Sequence, residues 1–310
     1  EKQKIKPRSY QNVMSDYIYP IIAGVIAGIA TRLYMLKTDY RQYPTYVHGK
    51  VIHIALGLIA AGLGAIIMPA LLQEEFTAIT FLTLAATQFR DVRNMERNTL
   101  TQMDSYELVS RGSTYIEGIA IAFESRNYIV IFTALLTTSA YVFLSIWAAV
   151  IAAVVCFLLA MKFMSGSVLK DIVDIEYIKP RFDGPGLFVD NIYMMNIGLP
   201  EKQELILKHG MGFILTPKNF NSAATIANLG QRQAILFDVS NVLGVYRDSG
   251  EPSLTPIAKR DLNDGRVAVF VLPQIHHPET AVQIISNVPT LENAIRMPTE
   301  FIKNQDKVIG

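Results

Sequence analysis

The sequence has 310 residues, 51% of them hydrophobic and 18% charged, with 28 Lys and Arg against 27 Asp and Glu. A chain so close to neutral is not built to neutralise a nucleic-acid backbone, and its single cysteine excludes an internal disulfide. The apolar excess lies before Gly166: up to Met164 there are 14 basic and 11 acidic residues, and beyond it 14 and 16.

A polar N-terminal extension, 1–17, precedes a region, 18–164, that reads as a polytopic α-helical membrane domain. A crossing needs about 20 mostly apolar residues. Runs at 18–36, 51–73, 76–89, 127–144 and 146–164 fit, about five spans, the third being short. Gly24 and Gly28 in the first, and Gly57, Ala61, Gly64 and Ala65 in the second, have the small-residue spacing that lets helix backbones approach. Lys and Arg gather in two loops, 37–50 and 90–126, while the turns at 73–75 and at Ser145 hold none. The bias of basic residues to the inner side then places both loops and the C-terminal half in the cytoplasm, and the N-terminus outside.

A linker is expected over 165–184, followed by a small cytosolic α/β domain over 185–310. The runs 187–197, 211–217, 233–240 and 266–273 read as strands, and 200–209, 221–229 and 278–286 as helices. "DGPG" at 183–186 and "LNDG" at 262–265 read as turns. The helix within 275–288 is amphipathic, suited to packing on its own sheet or to docking a partner.

The chemistry-bearing residues concentrate in the charged loops. A helix from Gln88 puts Arg90, Arg93 and Arg97 on one face, with Glu96 in reach of Arg93, and Asp91 beside Asn94 off that stripe. Gly112 ends the segment. A second helix from Ser113 buries Ile116, Ile119, Ala120 and Phe123 and aligns Glu117 with Glu124, seven residues on. If this helix lies along the membrane surface, Glu117 stays out of hydrocarbon. If another helix presses on Gly118 and Ala122, the carboxylate needs an arginine, and Arg90, Arg93, Arg97 and Arg126 are at hand. Three roles are open: an ion-pair cluster or partner-binding face, a solvated face, or catalysis by Asp91 and Glu117. Two carboxylates that share a proton can activate water for peptide hydrolysis. In the first loop, Arg32, Asp39, Tyr40, Arg41 and His48 form a further candidate site, with interfacial anchoring by Tyr and Arg as the alternative. His48 and His53 stand five apart with no cysteine nearby, so no metal is expected, and no nucleotide or cofactor motif is present.

The hexapeptide "YIEGIA" at Tyr115–Ala120, together with "TRLYMLKTDYRQYPTYVHG", "FTAITFLTLAATQFRDVRNMERNTL" and "FESRNY", closely resembles the YIEGIA family of multipass membrane proteins from endospore-forming bacteria. The resemblance implies a sporulation setting, a small cytosolic partner described as a capping complex subunit, and a proteolytic role for which it supplies no residue. The segment before Tyr17 is longer than the family's usual start. Two functions are therefore expected. One is a membrane-embedded protease acting at the cytoplasmic face on a protein substrate, under control of the small partner. The other is a non-enzymatic scaffold or receptor whose cytosolic domain binds that partner while the arginine-rich loop meets anionic membrane lipids.

Overall fold

The apolar half of the sequence is helical. The computed structural model describes residues 10–39, 47–74, 76–164, 167–247 and 254–295. In it α1 (Tyr10–Asp39), α2 (Val47–Leu72), α3 (Phe76–Asp104), α4 (Ser113–Phe143) and α5 (Ile146–Met164) follow one another. An unbroken helix satisfies its own backbone hydrogen bonds, which a segment in hydrocarbon must do. Among the described residues three stretches are long and apolar enough to cross a membrane: Tyr17–Lys37, Gly49–Leu72 and Ser113–Phe143. Ile146–Lys162 is a shorter apolar helix. The fourth run read from the sequence, 127–144, proves to be the later part of α4, which begins at Ser113. The helix read from Gln88 is likewise the later part of α3.

Contacts divide the chain into two compact units, residues 1–95 with 121–165, and residues 96–120 with 166–310. This boundary differs from the one expected from the sequence, in which the whole loop 90–126 belongs to the membrane domain.

In the first unit, small residues set the helix spacing. A Cβ at Gly28 would stand 2.7 Å from the Ala61 Cβ, and one at Gly24 would stand 2.8 Å from the Ala134 carbonyl oxygen. A Cβ at Gly64 would stand 2.2 Å from the Ile131 carbonyl oxygen. Ala60, Ala61, Ala65, Val130 and Ala134 fill the space between these close approaches. Ile22, Ile26, Leu58, Phe132, Trp147 and Leu158 remain exposed. Large apolar side chains outside and small ones inside is the arrangement of helices whose surroundings are hydrocarbon.

The second unit is α/β. α6 (Leu169–Ile172), β1 (Val173–Ile178), β2 (Arg181–Asp183), β3 (Gly186–Val189), β4 (Ile192–Asn196) and α7 (Pro200–His209) lead to β5 (Met211–Pro217), α8 (Phe220–Ala227) and α9 (Leu229–Leu243). β6 (Ile257–Arg260), β7 (Val267–Val271) and α10 (Pro278–Asn287) complete it. A four-stranded sheet has the order β1-β5-β7-β6, antiparallel throughout, and a three-stranded sheet the order β2-β3-β4. Leu187, Met194, Ile206, Ile214 and Phe270 form its apolar core.

Three sequence readings change here. The presumed linker 165–184 already contains α6, β1 and β2. The run 187–197 is a hairpin, because Asp190 takes φ 57° and turns the chain back between β3 and β4. The presumed strand 233–240 lies inside α9, whose buried residues Ala234, Phe237 and Ser240 recur at helical spacing and whose first turn is capped by Asn228 accepting from the Gln231 N–H. An apolar run of that length fits a buried helix as well as a strand.

Gly64 and Gly62 separate packing from helix propensity. Gly62 has no atom within 4 Å of its Cβ position, so Gly62→Ala should leave the thermal midpoint in detergent unchanged or raise it, alanine being favoured in a helix by up to about 1 kcal/mol. Gly64→Ala forces a side chain onto backbone and should destabilise by about 1–3 kcal/mol. Equal midpoints for the two variants would refute this packing.

Candidate functional site

The second unit includes the turn between α3 and α4. Asp104, at the last turn of α3, is buried and acts as a hub. Its Oδ2 accepts from the Ser110 hydroxyl at 2.6 Å and from the Gly112 N–H at 3.2 Å, and its Oδ1 accepts from the Arg111 N–H at 2.6 Å. The Arg111 guanidinium lies 3.7 Å from the same carboxylate and 3.4 Å from Glu107. It stacks over the Phe237 ring of α9 at 4.1 Å. A buried carboxylate with this many donors is held in one geometry, so one side chain folds the whole turn back toward α9.

Gly112 precedes the first residue of α4 and has no side chain to cap it. Its φ of +80° suits glycine, and the space a Cβ would take is filled by the Gln233 amide of α9. The Gln233 Oε1 accepts from the Tyr115 N–H at 3.2 Å. One of the unpaired donors at a helix N-terminus is thus capped from a helix 118 residues away. A Cβ at Gly230 would stand 3.0 Å from the Thr114 carbonyl oxygen.

The segment Tyr115–Ala120 continues this contact. Tyr115 is buried and meets Phe237 edge-on, centroids 6.5 Å apart. Ile116, Ile119 and Ala120 are buried. Gly118 admits the Asn293 amide, whose Oδ1 would be 2.9 Å from a Cβ there. Asn293 follows a strand-like stretch tied to α9 by Gln231, which donates to the Pro289 carbonyl and accepts from the Leu291 N–H. Glu117 alone of the six points to the rim, where Arg97 stands 3.8 Å from its carboxylate.

Asp91 and Asn94 are exposed on α3, and Glu96 is buried. Arg93 pairs with Glu124 at 3.5 Å. Arg126 is buried. Arg32 is buried in α1, with its guanidinium 4.8 Å over the Phe123 ring, and Gly57 makes room for its stem. His53 packs on the same ring at 4.6 Å. Tyr40 and Arg41 lie outside the described residues, as do the side chains of Asp39, His48 and Arg90.

Asp104, Gln233, Phe237, Asp238 and Asn293 were not singled out in the sequence. For Asp104 a signal existed, an acid at a helix end followed by the polar turn "SRG". For the others none did, since their partners are more than a hundred residues distant.

A family model described as YIEGIA protein matches residues 20–301, nearly the whole chain. No solved structure matches it.

Asp238, on α9 beside Phe237, is largely buried, and this pushes its carboxyl up from an ordinary 3.8 to about 6, while Arg111 pulls the other way. Between those two pH values the folded protein holds the proton more tightly than the unfolded chain, so stability falls as pH rises through the window. Asp238→Asn removes that loss. Its thermal midpoint in detergent should match wild type near pH 4 and exceed it above pH 6. A difference that stays constant with pH would show that Asp238 titrates as an ordinary surface acid.

Proposed function

The chain belongs to the YIEGIA family, and on that premise we propose that it is a multipass protein of the cell membrane that presents its α/β domain on the cytoplasmic side as the receptor for a small soluble subunit during sporulation. One observation carries the reading. The side chains of the segment Tyr115–Ala120 are spent on building the α/β unit, through Phe237, Gln233 and Asn293, and its one acid is matched by Arg97. Such a segment supports a shaped protein surface.

Five crossings accord with this placement. α5 has 19 residues, about 28 Å of helix at 1.5 Å per residue, enough to cross. The first half of α3 supplies the remaining, shorter crossing. The basic loops then face the cytoplasm, and arginines beside the inner leaflet favour anionic lipid.

A second reading, peptide hydrolysis by Asp91 and Glu117 at the cytoplasmic face, is favoured by one observation: Asp91 is exposed and the Glu117 side chain keeps 29% of its surface, so both carboxylates are open to water.

Substitution separates the two. Glu117→Gln removes the charge and keeps the volume; Asp91→Asn does the same. In the receptor reading both variants accumulate normally, lose at most about 1 kcal/mol of stability, as expected for an exposed ion pair, and retain subunit binding and sporulation. Glu117→Asp behaves likewise. Variants that are abundant and stable, bind the subunit, yet abolish turnover of a protein substrate would overturn the receptor reading in favour of the hydrolase.

A further inference from the structure

A cleft of about 470 Å³ opens in the second unit between the turn at 106–109 and the C-terminal end of α9. Its size falls in the range of ligand sites, about 300–1,000 Å³. Gly244, at φ +70°, ends α9 and turns the chain so that Val245 and Arg247 form the far wall.

Three features point to an occupant. Tyr106 and Leu108 stand at the rim, 90% and 45% exposed. Ser240 lines the cleft at 7% exposure, and its hydroxyl has no hydrogen-bond partner among the described residues; a buried hydroxyl normally has one. Arg247 carries a positive charge with no carboxylate partner among the described residues. The acid on the near wall, Glu107, is already paired with Arg111. The cleft therefore offers a mainly polar lining with a hydroxyl, the Asn241 amide and one unbalanced cation, beside the apolar rim of Tyr106 and Leu108.

We propose that this cleft binds an extended peptide segment of a partner protein that places a carboxylate next to apolar side chains. The carboxylate meets Arg247, the apolar side chains meet Tyr106, Leu108 and Phe237, and the peptide backbone, which both donates and accepts, satisfies Ser240 and Asn241. Tyrosine and arginine around a desolvated centre are the composition of interface hot spots. A lipid phosphate would match Arg247 but leave the donors and acceptors of Asn241 and the aromatic wall unused. The inference rests on the receptor reading above and deepens it.

The test uses the full-length protein in detergent and two fluorescein-labelled octapeptides, one alternating Leu and Asp and the other alternating Leu and Lys, read by fluorescence anisotropy. The acidic peptide should bind wild type and the basic one should not. Arg247→Glu, an exposed position, should weaken the acidic peptide about tenfold or more and admit the basic one, as for charge pairs at interfaces. Ser240→Ala should weaken the acidic peptide severalfold, with thermal midpoints confirming that both variants are folded. No binding by wild type, equal binding of both peptides, or indifference to Arg247→Glu would overturn the assignment. So would Arg247-dependent binding to phosphatidylglycerol vesicles with no response to either peptide. If the small subunit binds wild type and Arg247→Glu alike and the acidic peptide does not compete, the cleft assignment fails and the receptor reading stands. If the subunit does not bind wild type, the receptor reading itself fails.

Discussion

The Asp104 carboxylate is the constraint from which the second unit follows. A chain leaving a helix at Asp104 and entering another at Ser113 must find partners for the amides between them, or lose them to water in a wandering loop. Asp104 takes the Arg111 and Gly112 N–H groups and the Ser110 hydroxyl together, which fixes the turn. That fixed turn aims Arg111 at Phe237 and brings the bare N-terminus of α4 to Gln233. Tyr115 and Gly118 then fall into register with Phe237 and Asn293. Had the carboxylate been absent, the buried Arg111 guanidinium would keep, among the described residues, only the partly exposed Glu107 as its ion-pair partner, and the Arg111 and Gly112 N–H groups would lose this acceptor.

The first unit obeys a different rule. No hydrophobic force separates one apolar face from another when the surroundings are also apolar, so packing is decided by how closely backbones can approach. Gly24, Gly28 and Gly64 supply that approach. Gly57 does something else: it clears a path for the stem of Arg32, so that a long cation can be buried over Phe123 near the end of a candidate span. Burying arginine and histidine around one aromatic ring is expensive in such a place and marks a feature the fold maintains.

The sequence was informative where the signal is local. Long apolar runs marked α1, α2, α4 and α5, the small-residue spacing marked close helix packing, and "YIEGIA" itself marked the family. It left open whether another helix presses on Gly118. It could not name the Asn293 amide there, because that amide arrives from the far end of the chain. Local pattern also misled. "QAILFDVS" has the β-branched and aromatic content of a strand, but the Asn228 cap and the burial of Ala234, Phe237 and Ser240 make it a helix. The pairing of Glu117 with Arg97, and of Glu124 with Arg93, was within the set of arginines expected, yet helix spacing alone could not choose among them.

The central claim is that residues 104–120 fold as part of the α/β unit, held there by Asp104. Hydrogen exchange on the full-length protein in detergent tests it most directly, since residues in one cooperative unit open together. The account predicts that amides of 111–120 exchange as slowly as those of β5 and β7, and that Asp104→Asn accelerates 104–120 and α9 together while leaving α2 unchanged. Rapid exchange of 111–120 in the wild type, or acceleration by Asp104→Asn that stops short of α9, would contradict it.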